Sequence, residues 1–119
     1  MFYRIVSRIL LVVAALAILI LSLMSEPPYS MPEIKFFDKL GHFSAYFILG
    51  FLVFISFQSR LGLRLFFLAV ISSFLYGGLI ELLQYFTLRN PELWDLAANF
   101  AGSVGGAATG AVLFKAGST

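Results

Sequence analysis

The sequence predicts an all-α protein, a bundle of four membrane-spanning helices with both termini in the cytoplasm. Three observations predict it. The 119-residue chain is 61% hydrophobic and 12% charged, with a mean hydropathy of +0.97; a soluble domain carries about a quarter charged residues. The apolar residues fall into four runs, each near the ~20 residues that a spanning helix needs. The acids bordering those runs all lie on one side. A chain this short exposes much of its surface and here lacks the polar groups to cover it, which excludes a water-soluble monomer. With Cys at 0, a disulfide scaffold and CxxC redox or zinc chemistry are excluded too. Barrel strands are excluded because they need alternating segments of about 10 residues. Residues 1–119 read as a single integral membrane domain.

The first run, about 5–25, is interrupted by Arg8 alone. Arg4 and Arg8 ahead of an apolar core suggest a signal peptide. The core is longer than a signal h-region, however, and no A-x-A-like site follows Leu23-Met24-Ser25, so the helix is expected to be retained. Pro27, Pro28 and Pro32 each delete a donor and fix φ, so 26–33 cannot be helix interior. The second helix is therefore placed at about 39–57. Gln58 to Arg64 is a short polar turn. The third run, about 65–88, is broken by Arg89-Asn90-Pro91-Glu92, and the fourth covers about 93–114. No stretch is left for a soluble domain, and no low-complexity tract or sequence repeat interrupts the pattern.

Charge orients the bundle. One side carries Arg4, Arg8, Arg60, Arg64 and Lys115 with no acid. The other carries Lys35, Lys39 and Arg89 among Glu26, Glu33, Asp38, Glu92 and Asp95. The positive-inside rule places the first side, with both termini, in the cytoplasm. The two linkers that hold the acids then face outward.

The polar residues of the spans gather at that outer end. Asp38, His42 and Tyr46 are spaced i, i+4, i+8 and form one helical stripe. Asp38 is expected at or just before the helix start, capping free N–H groups. Asp95 and Asn99 repeat the i, i+4 spacing where the fourth helix starts. Glu81 and Gln84 lie on the third helix with Arg89 at its end. Glu81 is eight residues, or about 12 Å, deeper than Arg89, and a carboxylate in hydrocarbon marks a functional candidate by default. Groups at one depth on three helices are expected to point inward and meet.

Each residue also has a plain structural reading. Asp38 and Asp95 suit caps, Asn99 interhelical glue, Tyr46 and Trp94 an interfacial belt. Arg89 suits a helix-end anchor and His42 a satisfied bundle histidine. Glu81 is the hardest to explain this way, since a buried lock with Arg89 or His42 stabilises poorly. Ala98, Gly102, Gly106 and Gly110 recur every four residues, a small-residue stripe that lets backbones approach closely in lipid. Self-association through this stripe stays open and nothing in the residues supports it.

Asp38-Lys39-x-x-His42-x-x-x-Tyr46-x-x-Leu49-Gly50, then Glu81-x-x-Gln84, then Arg89-x₅-Asp95-x₃-Asn99-x-x-Gly102-x₃-Gly106 resembles the VanZ-like family. The likeness runs from Asp38 to Gly106, and three motifs in order are far more specific than one. Asn90-Pro91-Glu92 departs from the pattern, which has Ser or Gly and small residues there. The resemblance implies recurring residues at Asp38, Lys39, His42, Glu81, Gln84, Arg89, Asp95, Asn99 and Gly102. It also implies a bacterial cell-envelope protein, linked through the member that names the family to low-level teicoplanin resistance, an antibiotic resistance. It implies no settled reaction.

The leading reading is a multi-pass protein of the inner, cytoplasmic membrane that binds a lipid headgroup or lipid-linked cell-wall component at its outer face. Arg89 and Lys39 would hold phosphate; Asp95, Asn99 and Gln84 would orient it; Asp38, His42, Tyr46 and Glu81 complete the site. A second reading is an intramembrane enzyme acting on a phosphorylated or acylated envelope lipid, with His42, Glu81 or Asp38 as acid and base and Arg89 on the transition state. Ser44 and Thr87 lack a nucleophile motif and Ser72 and Ser73 fall nearer the inner half, so the residues lean against catalysis. A proton or ion path is the third reading, weakened by a sparse inner half. No cofactor and no metal is expected, since Asp38, His42, Glu81 and Asp95 show no ligand spacing such as HExxH. Nucleic acid is not an expected partner at a net charge of +2.

Overall fold

A computed structural model describes residues 2–23, 32–57, 62–86 and 93–114, with the side chains of 32–38 left out. The described residues form α1 (Phe2–Leu23), α2 (Pro32–Ser56), α3 (Gly62–Gln84) and α4 (Leu93–Phe114). All four are long and apolar enough to cross a membrane. A helix is the form such a run takes in hydrocarbon, because it satisfies every interior N–H and C=O within itself.

Helix α4 has its expected bounds; the others shift. Helix α1 starts at Phe2 and α3 at Gly62, three residues earlier than expected in each case. Helix α3 stops at Gln84, where Tyr85 and Phe86 turn back onto the carbonyls of Leu82 and Leu83; Leu88 lies outside the described residues. The largest correction is α2, which starts at Pro32 and not near Lys39. Proline cannot continue a helix but suits its first position, where the missing N–H has no intrahelical partner. Asp38 therefore lies in the second turn of α2 and is not at its N-terminus. The apolar window of this helix nonetheless begins at Lys39.

Successive helices run antiparallel, so α2 and α4 run parallel and share the tightest seam. A Cβ added at Gly102 would collide with the Phe43 carbonyl, and one at Gly106 with the Phe47 carbonyl. At Gly50 an added Cβ would lie 2.6 Å from the Ser103 carbonyl oxygen. Gly110 lies against the Phe54 ring. Three of the four stripe residues thus serve the expected close packing, and half-buried Ala98 lies one turn beyond. Leu52, Phe54, Ile55, Leu65, Ala69, Val70 and Ala107 form one core cluster. Ile18, Tyr46, Leu49 and Ile80 form a second, nearer the end that holds the acids.

Helix α1 is attached differently. Only 11% of its apolar window is buried, against 33–39% for the other spans. Side-chain hydrogen bonds to backbone hold it. The Tyr76 hydroxyl donates to the Ala15 carbonyl, and Gln84 Nε2 donates to the Ser22 carbonyl at 2.7 Å. At the opposite end Arg8 Nε donates to the Ser56 carbonyl at 3.0 Å, and its guanidinium lies 5.1 Å from the Phe57 ring centroid. Ser56 is the last residue of α2, so Arg8 satisfies a terminal carbonyl and complements the negative helix end.

Candidate functional site

The glycine seam determines the site. Because α4 approaches α2 to backbone contact at Gly102, the residues one and two turns before it reach α2 side chains directly. Asp95 is in the first turn of α4, where the helix dipole favours an anion. One carboxylate oxygen, Oδ1, lies 2.7 Å from Lys39 Nζ. The other, Oδ2, lies 3.5 Å from His42 Nε2. The second ring nitrogen of His42, Nδ1, lies 3.1 Å from Asn99 Oδ1. Lys39, His42, Asp95 and Asn99 therefore form one connected group across two parallel helices. Asp95 thus directs one carboxylate oxygen to each of two α2 side chains.

A carboxylate oxygen only accepts. The Nε2 contact is a hydrogen bond only when that nitrogen carries a proton, and Nδ1 donates to Asn99 only when it carries one too. With both nitrogens directed at internal partners, His42 reads as a bridge between Asp95 and Asn99.

Helix α3 closes the floor. A Cβ at Gly77 would lie 2.9 Å from Asn99 Nδ2 and 3.1 Å from the Tyr46 ring, so only glycine admits this approach without displacing the asparagine. Tyr46 is 2% exposed and belongs to the core, not to an interfacial belt. Trp94 is 73% exposed, as a belt residue should be. Glu81 lies one turn beyond Gly77 on the buried stripe Ser73, Gly77, Glu81 of α3. It faces the bundle interior at 7% exposure.

Exposure falls inward through the group. The Lys39 side chain is 25% exposed, His42 14% and Asp95 4%, while Asn99 is 1% exposed. The opening is at Lys39. Gln84, expected to orient a ligand, directs its amide nitrogen to the Ser22 carbonyl and thereby ties the site's edge to α1. Arg89 and the Asp38 side chain lie outside the described residues. Among the described residues, no three His, Cys, Asp or Glu side chains gather as metal ligands.

Sequence reasoning missed Gly77 and the clasping roles of Tyr76 and Arg8, and it met Gly50 only inside the family-like motif. The buried stripe Ser73, Gly77, Glu81 at i, i+4, i+8 was a readable signal for Gly77. Neither Tyr76 nor Arg8 stood out, because each acts on a distant backbone carbonyl.

The family model VanZ/LLP1 matches residues 2–116, nearly the whole chain. No curated protein and no solved structure shows a match.

Proposed function

The chain belongs to the VanZ/LLP1 family, and on that premise we propose that it is a multi-pass envelope protein binding a phosphate-bearing lipid headgroup or lipid-linked wall component at the outer face of the cytoplasmic membrane. One observation carries this reading. Lys39 stands at the mouth of a buried polar group, held by a carboxylate that is itself anchored through His42 and Asn99. A partly exposed ammonium, pre-positioned at the membrane edge with its counter-ion behind it, suits a phosphate arriving from the headgroup layer. The outward orientation rests on the one-sided basic residues at the opposite end, Arg4, Arg8, Arg60 and Arg64. A role in glycopeptide sensitivity, the link carried by the family resemblance, would follow from binding a wall component on that side.

The test uses the full chain in bilayer nanodiscs and native mass spectrometry. Phosphatidylglycerol should be retained in preference to a neutral diacylglycerol, and Lys39→Gln should weaken its retention by about tenfold, the loss of one charge-assisted contact worth about 1.4 kcal/mol. Unchanged retention in Lys39→Gln would refute headgroup binding at this group. Single cysteines at Ser30 and Ser59 check the side. An impermeant thiol reagent on intact cells should label only the first, and labelling of only the second would move the site to the cytoplasm.

A further inference from the structure

A groove of about 530 Å³ lies where α1, α2 and α4 meet. Leu10 and Ala14 of α1, Phe47 and Phe51 of α2, and Thr109 and Leu113 of α4 border it. Leu10 and Leu113 are exposed, so the groove faces the bilayer. Thr109 is the one polar side chain of the six, and its hydroxyl donates to the Gly105 carbonyl of its own helix at 2.8 Å. The wall therefore presents carbon and suits a hydrocarbon chain. Its depth and its two ends decide whose chain that is.

The apolar window of α2 begins at Lys39, which pairs with Asp95, so these two residues mark the outer edge of the hydrocarbon. Phe47 lies eight residues, about 12 Å, below Lys39, and Leu113 lies eighteen residues, about 27 Å, below Asp95. One leaflet of a ~30 Å hydrocarbon core is about 15 Å deep. The groove thus begins above the midplane and ends well beneath it. An outer-leaflet phospholipid chain, which stops near the midplane, would fill only its upper part.

The inner end is crossed by rings. Tyr3 of α1 stacks on Phe114 of α4 with centroids 6.0 Å apart, and Phe114 meets Phe51 of α2 at 6.1 Å. Aromatic contacts thus bridge all three helices beneath the groove and obstruct a chain entering lengthwise from the inner leaflet. The outer end leads to the polar site. Lys39, Phe43, Phe47 and Phe51 recur every four residues along α2. Phe43 is 36% exposed and its ring lies 6.1 Å from that of Phe47. An aromatic track therefore runs from the Lys39 ammonium into the groove.

We propose that the lipid whose phosphate is held at Lys39 is a polyprenyl phosphate, its single long chain lying along Phe43 and Phe47 and crossing the midplane in the groove between α1, α2 and α4. The proposal rests on the headgroup reading and narrows it, from phosphate-bearing lipids in general to those whose chain exceeds one leaflet.

The test places the full chain in phosphatidylcholine nanodiscs carrying equal amounts of undecaprenyl phosphate and dioleoyl phosphatidic acid, read by native mass spectrometry. Both lipids present a phosphate monoester, and only the first has a chain that crosses the midplane. The wild type should retain the long-chain lipid several-fold over phosphatidic acid. The preference is modest because a chain leaving bulk lipid for a groove gains packing and no hydrophobic burial. Ala14→Phe fills the groove from α1 and Thr109→Phe fills it from α4. Each should bring the two lipids to equal retention while melting within a few degrees of the wild type; should either fail to fold, the wild-type ratio still decides. Lys39→Gln should weaken both lipids alike and leave their ratio unchanged. Equal retention in the wild type, or a preference that survives both filled variants, would overturn the long-chain assignment and leave headgroup binding standing. Unchanged retention of both lipids in Lys39→Gln would instead remove the headgroup site and this proposal with it.

Discussion

The α2/α4 seam and the attachment of α1 use opposite strategies within one bundle. Between α2 and α4, glycines remove side chains so that backbones touch at Phe43, Phe47 and Ser103. Between α1 and its neighbours, individual polar side chains reach across and bond single carbonyls at Ala15, Ser22 and Ser56. The first interface is close packing, which in lipid must supply what the hydrophobic effect supplies in water. The second is a set of point attachments on a helix that stays mostly in contact with lipid. The seam therefore suits holding a site rigid, and the attachments suit a helix that is retained but able to shift.

Three substitutions break or sharpen that contrast. The largest effect is expected from Gly106→Val. Its side chain meets the Phe47 backbone, which cannot swing aside as a rotamer can, so the cost should reach or exceed about 3 kcal/mol. Melting in detergent should show loss of the cooperative transition, and a variant that melts normally would mean the seam is looser than described. A middle effect is expected from Tyr76→Phe combined with Gln84→Leu. Each change removes one interhelical bond worth about 0.6–1.7 kcal/mol in membranes. Cross-linking between cysteines on α1 and α3 should fall while cross-linking between α2 and α4 stays constant; equal losses at both would dissolve the distinction between the two regions. The smallest effect is expected from Arg8→Gln. A helix-end cation contributes about 0.3–1 kcal/mol, and the Phe57 contact about 0.5–1 kcal/mol at an exposed position. Tm should drop by a few degrees with the Lys39 group intact, and a loss of phosphatidylglycerol retention in this variant would reveal coupling between the two ends.

How much of this was legible in the sequence follows the same division. The small residues at 102, 106 and 110 recur at a four-residue period, so the seam could be read directly. The i, i+4 spacings of His42 with Tyr46 and Asp95 with Asn99 gave the stripes, and one shared depth gave their convergence. Helix boundaries read less well. Pro32 was treated as a break because proline is usually one, yet at a first helical position the same residue starts a helix, and that carried Asp38 away from the expected cap. The α1 attachments were not legible. A tyrosine or arginine bonding a backbone carbonyl some fifty or sixty positions away leaves no periodic trace, since a carbonyl looks the same at every residue. Gln84 shows the limit most clearly: the sequence marks it as a polar residue at the end of α3, but nothing in it shows that the amide nitrogen bonds the Ser22 carbonyl.

The four-residue period of the glycines also has a cost in uniqueness. A slide of α4 by one turn, about 5.4 Å, would bring Gly102 opposite Phe47 and small Ala98 opposite Phe43. Gly102 would fit its new rung, but the Ala98 Cβ would press on the Phe43 carbonyl as a Cβ at Gly102 would. The polar end resists the slide as well. The same slide carries Asp95 away from Lys39 and His42, and Asn99 away from the imidazole, leaving buried charge and amide without partners. A single buried polar residue selects one alignment of a coiled coil in the same way, at some cost in stability. Lys39, His42, Asp95 and Asn99 thus act with the glycines as the key that tells α4 which rung to occupy, and a chain stripped of them would be expected to hold its alignment less firmly before it lost its helices.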